Sequence, residues 1–217
     1  MKIFTDGSTI NNGKKNAIGG IGIYIPKQGN IDEWSLSYSL IEGCSIKVTN
    51  QISELIAIIL AIEKAVQLTN KETIYIYTDS MYGINCATSW CNKWIKNDWK
   101  KSNGKTIDNL WLIYRLVQLT RRYPIIFKHV KAHTDEPQNH NDENYIIWDG
   151  NNKADKLAQE GSQNVKDLSP NTKILKWTTL SSLLVCGMKS DIKSGLPFID
   201  ELKNFYEKMF NLNVIEN

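Results

Sequence analysis

The sequence predicts an α/β protein: one mixed sheet with helices packed on its faces, followed by a helical C-terminal extension. Three observations predict this class. Three short β-prone runs open the chain, separated only by turn residues. A long apolar stretch at helical spacing comes next, and β-prone runs then alternate with helical segments. Strands joined by tight turns make an antiparallel meander, and β-α units add parallel strands to it.

Lys2 to Thr5 is the first β-prone run, and it ends on Asp6-Gly7. Gly20 to Pro26 alternates apolar and small residues until a proline stops it, and Ile31 to Leu40 alternates again. The turns Asn11-Asn12-Gly13 and Gln28-Gly29-Asn30 leave no room for helices between these strands. From Thr49 onward, Ile52, Ile56, Ile59, Glu63 and Val66 recur at helical spacing, and Thr49 or Asn50 can cap the N-terminus. Apolar residues surround most of this helix, which predicts heavy burial. Thr73 to Thr78 is a fourth strand ending on Asp79-Ser80. A helix over Met81 to Thr88, a Trp- and Lys-rich segment and a helix near Leu110 to Arg122 follow. Ile125 to His129 is the fifth strand; a polar, acidic segment from Thr134 to about Asp149 separates it from a helix over Asn151 to Gln159. Glu160 to Pro170 reads as a linker. Beyond it, Leu180 to Met188 is apolar, and Pro197 to Phe210 reads as an amphipathic helix. Residues 1–162 are therefore taken as the α/β domain and residues 163–217 as the extension.

A hydrophobic content of 41% in 217 residues suffices for a real core and excludes wholesale disorder. The net charge of +3 is too small to name a partner, but its distribution is uneven. Lys93, Lys96, Lys100, Lys101 and Lys105 cluster against a single acid, Asp98, whereas residues 135–149 carry acids and no Lys or Arg. Separated patches of opposite sign suit a polyanion that meets one face; two solvated surface segments are the plainer alternative. The cysteines Cys44, Cys86, Cys91 and Cys186 form no Cys-x-x-Cys pair, the chain opens on a strand-like run in place of a secretory signal, and no apolar run reaches membrane-spanning length. Reduced thiols in an intracellular protein are expected.

Four carboxylates carry the chemistry. Asp6 and Asp79 end strands, Glu54 sits in an Ile/Leu-rich helix, and Asp155 lies in Gly-Asn-Asn-Lys-Ala-Asp-Lys-Leu-Ala. Singly, each has an ordinary role: a turn residue, a helix cap, a residue favoured by the helix dipole, a surface acid. Gathered without a cation they would repel, so their convergence makes sense around hard divalent ions, which take oxygen ligands.

Thr5-Asp6-Gly7-Ser8, Thr49-Asn50-Gln51 with Glu54-Leu55 and Ala61-Ile62, Tyr77-Thr78-Asp79-Ser80, His129-Val130-Lys131-Ala132-His133, and Asn152 with Ala154-Asp155 and Ala158 resemble, in order, the motif set of type 1 ribonuclease H. The resemblance covers roughly residues 1–162. It implies a five-stranded mixed sheet with helices on both faces and a catalytic domain that cuts the RNA strand of RNA–DNA hybrids endonucleolytically. It implies that Asp6, Glu54, Asp79 and Asp155 hold two Mg²⁺ ions, which Mn²⁺ can replace, with Asp6 bridging them. One ion would activate water and the other stabilise the leaving 3′-oxygen, giving 5′-phosphate and 3′-hydroxyl ends. His133 matches the family's mobile histidine, which moves protons or helps release product; an ordinary loop histidine is the alternative, and His140 is a weaker candidate.

The resemblance also places the substrate. Asn12, Asn50 and Gln51 match positions that contact the minor groove and its 2′-hydroxyls, which amide groups suit as both donors and acceptors. Trp90, Trp94, Lys96, Lys100 and Lys101 fall in a segment similar to the family's basic protrusion, where aromatics pack on DNA sugars and lysines meet phosphates. Lys47, Thr49 and Asn109 fall where the family binds a DNA phosphate. Trp99 is expected to be a core anchor. The N-terminal hybrid-binding domain common in cellular members is not expected, so modest processivity is.

Two features depart from the pattern. The spacing from His133 to Asp155 is longer than usual, and an acidic insertion there would repel substrate unless it folds away. The extension beyond residue 162 lies outside the family core; packing on the catalytic domain is expected, with partner docking the alternative, and the protein is expected to be a monomer. Two other functions compete: another nuclease of the same fold, such as a junction resolvase, and a non-catalytic hybrid-binding module.

Overall fold

The computed structural model describes residues 1–41, 48–69, 72–163 and 173–175. Lys47, the apolar stretch Leu180 to Met188 and the expected helix over Pro197 to Phe210 lie outside the described residues.

The predicted meander is β1 (Lys2–Ile10), β2 (Ile18–Ile25) and β3 (Trp34–Ile41), each antiparallel to the next. α1 (Asn50–Leu68) follows, capped by Thr49, whose side chain accepts from the Ile52 N–H at 3.3 Å. β4 (Ile74–Thr78) lies parallel to β1, and β5 (Ile125–His129) lies parallel to β4. Between these two strands come α2 (Met81–Ala87), α3 (Ser89–Lys96) and α4 (Leu110–Arg122). α5 (Glu143–Gln163) completes the five-stranded, mixed α/β core that the sequence predicts.

Several boundaries move; β3 starts at Trp34, and α5 runs to Gln163, into the expected linker. β1 does not stop at Asp6, because its pairing with β2 continues to Ile10 opposite Ile18. α5 starts eight residues before Asn151: the last part of the acidic stretch, from Glu143, is its first turns, where Glu143 meets the positive end of the helix dipole, while residues 134–142 remain loop. Within the extension, residues 173–175 form a strand, β6 (Lys173–Leu175), where helix was expected. It pairs parallel with Tyr38–Leu40 of β3 and makes the sheet order β5-β4-β1-β2-β3-β6. A sheet edge offers unpaired N–H and C=O groups, and a short apolar run suffices to take them up.

The strand period of two sorts side chains between the faces. Ile3, Ile21, Ile23 and Ile25 are fully buried in the cluster that contains α1, α4 and parts of α2 and α3. Phe4, Tyr24 and Tyr77 point the other way and pack with Ala154 of α5. On that second face β2 presents Gly20 and Gly22, so the α5 backbone lies directly on the sheet: a Cβ at Gly22 would stand 2.0 Å from the Ala154 carbonyl oxygen. This glycine slot fixes the height of α5, and with it that of Asp155.

Candidate active site

The parallel pairing of β1 with β4 ends at Phe4 opposite Tyr77. Two residues further along each strand come Asp6 and Asp79. β1 runs on alone on that side, and the end of β4 leaves a notch. Gly7 faces α1 at this level, and a Cβ there would stand 2.3 Å from the Glu54 backbone nitrogen. Glycine is therefore required for the first turns of α1 to come close enough to deliver Glu54 into the notch.

One carboxylate oxygen each from Asp6, Glu54 and Asp79 lies within 4.8 Å of the others. Asp6 and Glu54 are only 8% and 7% exposed. Glu54 Oε2 and Asp79 Oδ1 are buried and have no hydrogen-bond partner. Burial pushes the Asp6 carboxyl up to about 7, reinforced by the charges of Asp79 and Asp155. Burial also carries Glu54 well above the usual carboxylate range, with Asp6 and Asp79 adding to it. Asp79 rises for the same first reason, desolvation. Three converging acids, two of which keep a buried oxygen without a donor, form a hard-oxygen donor set, and that set fits a divalent cation. A cleft of about 290 Å³ opens over Glu54 and Asp79, lined also by Asn50, Gln51, Ser80, Met81 and Tyr82.

Asp155 stands just outside this triad. Its Oδ1 accepts from Gln159 Nε2 at 2.7 Å, while its charge still acts on Asp6 and Asp79. His133 stands on the loop after β5 with a left-handed backbone, φ 49°. It lines a second, smaller cavity together with Asp155, Asn151 and Asn152. His140 lies off this cavity, paired with Glu136 Oε1 at 3.1 Å.

Of the expected substrate contacts, Asn50 and Gln51 line the cleft beside Glu54 and Asp79. Asn12 Oδ1 accepts from the Asn50 N–H at 3.1 Å, which folds the Asn11-Asn12-Gly13 turn onto the start of α1 beside exposed Gln51. Thr49 spends its hydroxyl on the helix cap. Asn109, at φ 56°, donates from Nδ2 to the Tyr82 hydroxyl at 3.2 Å. Tyr82, Trp90 and Trp94 make an edge-on aromatic row at centroid spacings of 6.0 and 5.7 Å. Trp99 is 5% exposed and packs on Tyr114, as a core anchor should. Lys96 and Lys100 are exposed, while Lys101 is engaged by Asp108 at 2.7 Å. Sequence reasoning missed Tyr82, the link between Asn109 and the tryptophans. Its position three residues after the Asp79 strand end was the signal that could have found it. It also missed Gly7 as a spacer, although the Asp-Gly pair was in view.

The sequence profile of the RNase H family matches residues 1–163. The chain belongs to the RNase H family. Ribonuclease H1 of Homo sapiens is 34% identical over 167 residues, which are 76% of this chain and 51% of that protein. Ribonuclease H of Schizosaccharomyces pombe is 35% identical over 160 residues, 74% of this chain and 52% of that one. This RNase H family chain thus spans about half the length of these curated relatives. Among solved structures, the foamy viral protease-reverse transcriptase in complex with RNA/DNA hybrid matches with a TM-score of 0.52 at 25% identity, over 76% of this chain and 20% of that one. Among the described residues of this RNase H family member, no helix is long and apolar enough to cross a membrane.

Proposed function

We propose that this chain hydrolyses the RNA strand of RNA–DNA hybrids endonucleolytically, leaving 5′-phosphate and 3′-hydroxyl ends. One observation carries the reading: in a chain of this family, Asp6, Glu54 and Asp79 bring carboxylate oxygens within 4.8 Å of one another at a notch in the sheet. The similar viral enzyme solved with an RNA/DNA hybrid supports the substrate class.

Two Mg²⁺ ions, replaceable by Mn²⁺ and held by Asp6, Glu54, Asp79 and Asp155, would supply an activated water and charge stabilisation at the leaving 3′-oxygen. The chain's own residues do the rest. Asn12, Asn50 and Gln51 hydrogen-bond RNA 2′-hydroxyls across the minor groove. Trp90 and Trp94 pack on DNA sugars, where a 2′-hydroxyl would clash. Lys96, Lys100 and Lys101 hold phosphates, and Thr49 and Asn109, with Lys47, form a DNA phosphate site. His133 moves a proton or assists product release beside Asp155. Cys86 and Cys91 are free and buried, which suits a reducing intracellular compartment.

The test uses purified protein, Mg²⁺ and end-labelled hybrid, duplex RNA and duplex or branched DNA. Cutting of RNA in the hybrid alone is expected. Cutting of duplex or branched DNA would favour a resolvase-like enzyme, and binding without cutting a recognition module. Asp79→Asn should abolish cleavage while hybrid binding persists; a variant that still cuts removes Asp79 from the site.

A further inference from the structure

His133 sits on a loop with an exposed side chain, so neither β5 nor a helix fixes its imidazole. The fixing contact comes from the insertion. The Trp148 indole Nε1–H donates to the carbonyl of Thr134, the residue after His133, at 2.9 Å. Trp148 and Asp155 are seven residues apart on α5, about two turns, and so share one face of the helix. Trp148, His133 and Asp155 line the same cavity of about 60 Å³. Behind Trp148 lies the Tyr145 ring at 5.8 Å, and His140 stacks on Tyr145 at 4.2 Å. His140 Nε2 in turn lies 3.1 Å from Glu136 Oε1. The loop after His133 is therefore tied to α5 at Thr134 and again through Glu136 and His140.

We propose that Trp148 is a positioning residue: its indole N–H anchors the backbone beside His133 to the α5 face that carries Asp155. The acidic insertion thereby belongs to the site as a clasp. A flexible histidine spends much of its time out of reach of the reacting atoms, and a misplacement of about 1 Å can cost up to a hundredfold in rate. A hydrogen bond from a rigid, half-buried indole limits that motion without adding a charge near the substrate phosphate. The catalytic side of this inference rests on the hybrid-cleavage reading; the anchoring does not.

The experiment compares wild type with Trp148→Phe, which keeps a ring and removes the donor. Three histidines make ¹³C-labelled histidine NMR assignable. In the metal-free protein, the His133 resonance should narrow in Trp148→Phe as its motion increases, while that of His129 stays unchanged. On hybrid with Mg²⁺, kcat should fall about tenfold at unchanged KM, with a melting temperature close to wild type. Trp148→Ala should deepen both effects; if it does not fold, Trp148→Phe still decides. An unchanged His133 resonance with unchanged kcat overturns the proposal. So does a loss of activity that only tracks a fall in melting temperature. If wild type does not cut hybrid, the cleavage reading fails, and the His133 resonance alone decides the anchoring.

Discussion

Asp6, Glu54 and Asp79 show how three acids can be held in a site that opposes their ionisation. Burial is the first cause in each case, and mutual repulsion adds to it. Folding without metal therefore takes up protons. An unfolded Asp6 releases its proton near 3.8, whereas the folded carboxyl keeps it until about 7. A raised carboxyl stabilises the fold below the unfolded value, and that contribution is lost as pH rises through the folded one. The metal-free protein should accordingly lose melting temperature between about pH 4 and about pH 7, and an Asp6→Asn, Glu54→Gln variant should show a flatter curve. Added Mg²⁺ should restore stability, and more so at the higher pH, where the ligands are deprotonated. Thermal melts with and without a chelator test this; parallel curves for wild type and variant would assign the pH dependence elsewhere.

At the scale of elements, two close approaches build the site. α1 meets β1 through Gly7, and α5 meets β2 through Gly20 and Gly22. Backbone atoms stand where side chains would, and neither partner can rotate away. Gly22→Ala should cost about 1–3 kcal/mol or more in urea unfolding, as overpacking does. Cleavage should fall further than the remaining folded fraction explains, because α5 carries Asp155 away from the triad. A variant of native stability and native activity would mean that α5 is not held at this height. The boundaries of the regular elements were largely legible in the sequence: α4 and β5 lie where periodicity puts them, and Thr49 caps α1. The first turns of α5 were not legible, because Glu143 to Trp148 mixes polar and apolar residues without a clear period. What that stretch packs against, Lys2 through Glu143 at 2.6 Å and Thr134 through Trp148, is distant in sequence.

Over the whole molecule, charge is arranged along α5 and across the protrusion. Glu143 pairs with Lys2, about 18 Å along the helix from Asp155. Asp149 pairs with Lys153 at 2.9 Å. These pairings neutralise two of the insertion's acids, which lessens the repulsion an acidic insertion would exert on a phosphate substrate. Elsewhere, Lys96 and Lys100 are exposed, while Asp108 already neutralises Lys101. Hybrid binding by the inactive Asp79→Asn protein should weaken with salt. Lys96→Ala and Lys100→Ala should each reduce the slope of log affinity against log salt by about 0.7–0.9, and Lys101→Ala by less. Filter binding over a salt series measures this, and equal slopes for all four proteins would remove the protrusion from the interface.

The sequence by itself determined the class of fold and the attachment of Asp6 to a strand, of Asp79 to a strand end and of Glu54 to a helix. Alternation, helical spacing and capping are local, and local patterns survive in one dimension. Tertiary structure decided the rest. It brought Asp6, Glu54 and Asp79 within 4.8 Å and left Asp155 leaning on Gln159. It turned the acidic insertion into a clasp on the His133 loop and added β6 to the edge of β3. Each of these outcomes depends on the distance between segments remote in sequence, and that distance is set by strand register and by the absence of a Cβ at Gly7, Gly20 and Gly22.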